Sequence, residues 1–174
     1  MFPMELIATL ILNGEIWPAY DGESFFANRA VNDNLITGSG IAMDNLKADL
    51  TVARSAMKRF KSDTGRLMRL VLDTILCPPE LEEPFLELVT STTVPGVTGG
   101  NVANPFKGWI KNVISLPDLS DTGDWYGFCT AFRLKPFIYQ KRKDPTTVID
   151  ETQVKRNRKI EYSVEMRGNA GFAF

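Results

Sequence analysis

The sequence predicts an α+β fold with one mixed or antiparallel sheet, and three observations carry that prediction. Helical periodicity is concentrated before Thr90, β-forming stretches dominate from Trp109 onward, and no segment repeats at a solenoid or propeller period. The chain has 174 residues, 44% hydrophobic and 24% charged, with a net charge of -1. That is the composition of one ordinary folded domain, large enough to bury a core without metals or disulfides.

Leu6, Ile7, Leu10 and Ile11 follow helical spacing, and Asn13-Gly14 supplies a left-handed residue to end the helix. With no capping signal ahead of it, this helix reads as the end of something longer. The run Met1 to Leu6 lacks a basic leader and a cleavage pattern, so it is not expected to be a signal peptide. No apolar run approaches membrane-spanning length.

An Asp21-Gly22 turn lies between apolar residues, and Asn32 to Gly40 reads as exposed loop. Asp44 is then placed to cap a helix whose core stripe is Leu46, Leu50, Ala53, Met57 and Phe60, with Lys47, Asp49, Arg54, Lys58 and Lys61 outside. That helix should end near Ser62-Asp63-Thr64-Gly65. Leu70 to Cys77 is short and rich in β-formers before Pro78-Pro79, which suggests a strand buried on both faces. A helix follows at once. Pro79 suits its first turn, Glu80, Glu82 and Glu83 complement its positive end, and Leu81, Phe85 and Leu88 form its core stripe.

Thr90 to Pro105 is rich in Ser, Thr, Gly, Pro and Asn and is expected to be a long mobile loop. Strands are expected at Trp109 to Leu116, Trp125 to Phe132, Pro136 to Lys141, Thr146 to Ile149 and Ile160 to Met166, with turns at Pro117 and Asp121 to Asp124.

The chain contains no histidine, which excludes Ser-His-Asp and Cys-His nucleophilic catalysis and His-bearing zinc sites. Cys77 and Cys129 sit in apolar runs and read as buried free thiols. Cys77, before a helix start, is a conceivable nucleophile, but no general base stands near it in sequence. Gly38-Ser39-Gly40 and Gly99-Gly100 lack the Lys-Ser/Thr pair of a phosphate loop. Asp21 with Glu23, and Asp118 with Asp121 and Asp124, are turn and capping carboxylates before they are acid-base or cation ligands. Trp109, Trp125, Tyr126, Phe128, Phe132, Phe137 and Tyr139 interleave with basic residues like a nucleic-acid stacking platform, yet aromatics at strand spacing are more often core. No catalytic residue, cofactor or metal is therefore expected.

Charge is unevenly distributed. From Arg133 onward there are ten Lys or Arg against five Asp or Glu, leaving ten against sixteen before it. The bias is local and too mixed for a nucleic-acid arm.

Asn104-Pro105-Phe106-Lys107-Gly108, Val113 to Asp121, Trp125-Tyr126 and Lys135-Pro136-Phe137-Ile138-Tyr139-Gln140 occur in the order and form seen in the Mu-like prophage major head subunit (gpT) family. Upstream, Glu5 to Gly14 followed by Tyr20 to Phe26, and downstream, Glu161 to Phe172, resemble that family's flanking segments, so the likeness spans nearly the whole chain. The resemblance implies a Hong Kong 97 type capsid fold. Residues 1–40 would be the end of a spine-like helix and its connecting loop, part of the peripheral domain. Residues 41–121 would be an axial-domain-like region with a flexible loop at 90–104, and 122–174 strands returning to the peripheral domain, without N-arm or E-loop.

It further implies a capsid subunit rather than an enzyme, self-assembling in pentameric and hexameric capsomers, with scaffold or decoration proteins as further partners, DNA met only non-specifically, and no membrane. Its place would be the virion capsid, and the bacterial host cytoplasm during assembly. By the same resemblance Thr92, Thr93, Val94, Pro95, Gly96, Gly99, Gly100 and Asn101 become the candidate inter-subunit loop, and Lys141, Arg142, Lys143, Lys155, Arg156 and Arg158 a candidate basic surface that pairs with acidic neighbours or faces packaged DNA. Two other readings stay open: an encapsulin-like nanocompartment shell protein and a nucleic-acid-binding module.

Overall fold

Two strands of different length classes organise the chain: a four-residue strand buried on both faces, and a 14-residue strand that is largely exposed. The computed structural model describes residues 3–19, 21–95, 100–133, 135–150 and 160–172. In order they form α1 (Pro3–Leu12), α2 (Met43–Arg59), β1 (Thr74–Cys77), α3 (Pro79–Thr90), β2 (Thr93–Pro95), β3 (Asn101–Ala103), β4 (Asn112–Ser115), β5 (Tyr126–Phe128), β6 (Phe137–Asp150) and β7 (Glu161–Phe172). The α+β class is as expected. The single sheet is not: the described strands form three sheets, β4-β1-β5, β2-β3 and β6-β7.

β1 explains the uninterrupted apolar run before Pro78. Successive side chains of a strand point to opposite faces. Ile75 and Cys77 enter one core with Leu46, Leu50, Leu72, Leu81, Phe85 and Leu88, whereas Leu76 enters a second with Ala8, Ile11, Leu116 and Leu119. The strand is shorter than Leu70 to Cys77 because Arg69 adopts a left-handed φ of 53° and pairing starts only at Thr74. β4 runs parallel to β1 and β5 antiparallel, so Ile75 faces Val113 on one side and Gly127 on the other. A parallel neighbour requires a crossover, and α3 with the segment after it provides one.

α3 begins as read from the sequence, with Pro79 in its first turn, Glu80 and Glu82 beside the positive end, and Leu81, Phe85 and Leu88 buried. α2 departs from expectation in two places. Ala42, not Asp44, is its N-cap, and no side chain caps it, while Asp44 pairs with Lys47 at 2.9 Å. Asp49, expected outside, is buried and accepts hydrogen bonds from Ser39 N at 2.8 Å and Ser39 Oγ at 2.7 Å, tying the preceding loop to the helix. Arg54 is also drawn inward, its guanidinium 3.2 Å from the centroid of the Trp109 ring, a cation–π contact across the first core's rim.

α1 packs against β6 and β7 in the second core. It does not end through a left-handed Asn13 or Gly14, since neither has positive φ. Asn13 instead donates from its backbone N and its side-chain Nδ2 to Thr9 O, at 3.1 and 2.8 Å. The need for glycine at position 14 is steric, because a Cβ there would lie 2.4 Å from Phe26 Cδ2. Gly14→Ala should accordingly cost about 1–3 kcal/mol by overpacking, seen as a lower denaturant midpoint at unchanged slope.

The remaining strands differ in extent from the sequence expectation. Trp109 to Leu116 contributes only Asn112–Ser115, and Trp125 to Phe132 only Tyr126–Phe128. Conversely, Pro136 to Lys141 and Thr146 to Ile149 are one strand, β6, paired antiparallel with β7 from Phe137↔Phe172 to Asp150↔Glu161. Pro145 does not break it. Register shifts fall between Lys141 and Lys143 and between Lys143 and Thr146, and a bulge is where a strand tolerates a residue without an N–H.

Candidate functional site

The sequence offered three kinds of site: isolated reactive groups, a Gly/Thr-rich loop after α3, and a basic segment late in the chain. The reactive groups are each absorbed by the fold. Cys77 is fully buried, its Sγ 3.8 Å from Ile114 O, and burial together with the nearby Glu82 charge pushes its pKa up to about 11. A thiol so protonated is a core residue and no nucleophile. Cys129 is half-buried rather than buried. Asp21 pairs with Arg29 at 3.1 Å and accepts from Glu23 N at 3.2 Å, and the Arg29 hydrogen bond holds its carboxyl below the ordinary range. Asp121 accepts from Gly123 N at 2.8 Å as a turn residue, and Asp124 is raised by burial and by Asp121's charge. Among the described residues no group of three or more Cys, Asp or Glu is arranged to hold a metal ion.

The aromatics are core. Trp125 meets Phe85 edge-on at 5.3 Å, Trp109 meets Phe106 at 5.1 Å, and Phe137 lies 5.4 Å from Phe25 and 5.6 Å from Phe128. Trp109, Trp125, Tyr126, Phe128 and Phe137 are partly buried and packed against the two cores, which fits the core reading of these residues.

Asp73 carries no functional signature in the sequence, where it interrupts the β-forming run Leu70 to Cys77. Its carboxylate is buried and accepts from Thr130 N, Thr130 Oγ1, Ala131 N and Thr74 Oγ1, all within 2.8–3.0 Å. Its backbone N donates to Phe128 O at 3.0 Å, and its carbonyl accepts from Lys111 N at 2.8 Å and Asn112 N at 3.2 Å. One residue thus fastens the starts of β1 and β4 to the segment after β5. Burial alone would raise its pKa, but the hydrogen bonds to the charged form outweigh it and hold the group below the usual carboxylate range.

The described residues of the segment expected as a mobile loop at 90–104 are organised. α3 continues to Thr90, and β2 pairs antiparallel with β3 through Thr93↔Ala103, Val94↔Val102 and Pro95↔Asn101. Val94 is buried in the first core, which roots the hairpin. Asn104 closes its base: Nδ2 donates to Leu88 O at 2.7 Å and Ser91 O at 2.8 Å, satisfying carbonyls at the end of α3, while Oδ1 accepts from Phe106 N at 2.9 Å. Thr92, Thr93, Gly100, Asn101 and Val102 are exposed. Gly96 and Gly99 of the candidate loop lie outside the described residues. Asn104→Ala should strip both α3 carbonyls of their partner and cost about 1–3 kcal/mol, with hydrogen exchange rising at β2 and β3.

The basic surface is less free than its sequence suggested. Lys141 pairs with Asp144 at 2.7 Å, Lys143 with Glu165, and Arg167 with the same Glu165 at 2.8 Å. The hydrogen bond from Lys141 to Asp144, and then the Asp144 charge, push Lys141 upward in pKa, and the hydrogen bond and charge of Lys143 push Glu165 downward. These are exposed pairs of small energetic worth, but they neutralise much of the segment's charge locally. Arg142 falls at a register shift and is exposed. Lys155, Arg156 and Arg158 lie outside the described residues.

No described helix is long and apolar enough to cross a membrane. No curated protein and no solved structure matches the chain. The family model described as phage capsid protein does match, over residues 6–173. The chain belongs to the phage capsid protein family, whose members are structural subunits that assemble into the virion capsid.

Proposed function

We propose that this chain acts as a major head subunit of a Mu-like phage or prophage, with a Hong Kong 97 type fold, and that it has no catalytic activity. The observation that carries the reading is a capsid-family match spanning nearly the whole chain, with the gpT-like motifs lying collinear inside it. Two features of the fold support it. Most of the first core and the β2–β3 hairpin lie within 41–121, the axial-domain-like region, and the second core joins α1, Phe26, Phe128 and Phe137, from both ends of the chain, to Leu76, Leu116 and Leu119 of that region.

On this reading the β2–β3 hairpin meets its neighbours at the capsomer centre, and the shell encloses DNA through non-specific contacts, with scaffold or decoration proteins as secondary partners. The subunit assembles in the bacterial cytoplasm and ends in the virion. Deleting Thr92 to Gly100 should abolish or deform capsomers seen by electron microscopy, while normal particles would remove the hairpin from this role. Reversing Lys141, Arg142 and Lys143 to Glu should lower DNA retention in a salt-dependent way. Retention unchanged at every salt concentration would refute that contact.

A further inference from the structure

The turn after α2 and the outer face of α3 carry opposite charges that the described residues do not neutralise. Residues 58–69 include five basic side chains and one acidic, Asp63, whereas α3 carries Glu80, Glu82, Glu83 and Glu87 and no basic residue. Lys58, Arg59, Lys61, Arg66 and Arg69 are all exposed, as are Glu80, Glu83 and Glu87. None of these side chains forms an ion pair with another described residue. Lys141 and Lys143, by contrast, each meet a carboxylate of their own chain. Helix ends account for part of the pattern: Lys58 and Arg59 lie in the last turn of α2, and Glu80 and Glu82 in the first turn of α3, where each suits the local dipole. Lys61, Arg66 and Arg69 lie beyond α2, and Glu83 and Glu87 beyond the first turn of α3, so no helix end explains them.

Both surfaces are held in shape. After α2 the chain turns back on itself: Lys61 bridges to Leu67, Gly65 N donates to Ser62 O at 2.7 Å, and Met68 N donates to Phe60 O at 2.8 Å. Asn32 clamps the base of the turn, its Oδ1 accepting from Lys61 N and its Nδ2 donating to Lys61 O, both at 2.7 Å. On α3, Pro79, Glu83, Leu86, Glu87 and Thr90 recur at helical spacing on the face turned away from the core, and line a shallow groove. Each surface has one exposed leucine among its charges, Leu67 at 54% and Leu86 at 42%.

We propose that the 61–67 turn of one copy of this chain seats on the outer face of α3 of a second copy, with Leu67 against Leu86 and with Lys61, Arg66 and Arg69 facing Glu83 and Glu87. The contact rests on the capsid reading for assembly, but charge chooses the partner: the acidic face calls for a cationic surface, the turn for an anionic one, and this single contact supplies both. Turn against turn and α3 against α3 repel. An apolar centre ringed by charge is how a protein interface is built, whereas a phosphate backbone offers nothing to Leu67. Two different patches meeting make a heterologous contact, the kind that closes into rings.

Two paired reversals test it, Lys61→Glu with Arg66→Glu, and Glu83→Lys with Glu87→Lys, all at exposed side chains without an ion pair among the described residues. Sedimentation velocity over a concentration series, with circular dichroism to confirm an unchanged fold, should show each pair needing about tenfold more protein to associate. All four substitutions in one chain exchange the signs of both surfaces and should restore association to near that of the parent. Association unchanged by either pair, in a parent that does assemble, overturns the contact and leaves the capsid reading intact. A fourfold variant that associates no better than the pairs overturns it as well. Loss of DNA retention with unchanged association, in the Lys61→Glu and Arg66→Glu pair, overturns it and gives the turn to nucleic acid. A parent chain that is monomeric at every concentration overturns the contact and counts against the capsid reading with it.

Discussion

Asp73→Ala is expected to destabilise the fold by about 2 kcal/mol or more, because it takes the shared acceptor from the buried Thr74 hydroxyl and from three donors of Thr130 and Ala131 at the rim of the site. Those donors are Thr130 N, Thr130 Oγ1, Ala131 N and Thr74 Oγ1, each now within 3.0 Å of the carboxylate. Asp73→Asn keeps the shape, yet its amide nitrogen must face N–H groups that need an acceptor, so it should lose much of the same stability. The pH dependence gives an independent check. The folded pKa is depressed, so the contribution is present in full above the unfolded value near 4 and is lost as pH falls through the folded pKa. Urea titrations of parent and Asp73→Asn should thus show a stability gap at pH 7 that narrows steadily below about pH 4. A gap independent of pH would show that the ionised carboxylate is not what the segment after β5 is held by.

Phe85→Ala should cost about 3–5 kcal/mol, a large part of the stability of a domain this size. The ring is fully buried beneath α3, in one core with Ile75, Leu50 and Leu88, and meets Trp125 edge-on. Removing it opens a cavity between helix and sheet that neither can close, since α3 is held at one end by Pro78-Pro79 and at the other by Asn104. Leu86, the next residue, is 42% exposed, and Leu86→Ala should change stability by less than about 1 kcal/mol. Guanidinium unfolding of the two variants measures the contrast. Similar losses at both positions would contradict the packing described.

Local chemistry was legible where one residue's neighbours in sequence settle its conformation. The start of α3 is such a case, since proline's fixed φ and the glutamates beside the helix end act within one turn. So is the burial of β1 on both faces, announced by an apolar run without alternation. Asp73 was not legible because its meaning comes from Thr130, 57 positions away, and a lone Asp beside Thr74 has no local signature. Asp49 failed for the same reason: helical spacing put it outside, but the loop carrying Ser39 folds over it. The segment after α3 looked structureless by composition, which registers low hydrophobicity and misses a single buried Val94 and an Asn104 with its two accepting carbonyls. The β-forming stretches Pro136 to Lys141 and Thr146 to Ile149 read as two strands, and only the irregular pairing lets β6 run through both and past Pro145.

For the candidate contact surfaces, sequence located the segments but not their faces. The basic residues at 141–143 were visible as charge, while their neutralisation by Asp144 and Glu165 depends on turn and cross-strand geometry. The charges at 58–69 and along α3 are visible in the same way, while their lack of ion pairs among the described residues depends on which side chains the fold brings near them.

By itself the sequence determined the α+β class, the helix cores, the absence of imidazole chemistry and the capsid likeness, all of which depend on composition, short-range periodicity or ordered motifs. Only the tertiary structure decided that the strands divide into three sheets, that Asp73 locks β1 and β4 to the segment after β5, and that the turn after α2 and the outer face of α3 keep charges without an ion pair among the described residues. These are consequences of which distant segments meet, and pairing between strands carries no short-range signal in the chain.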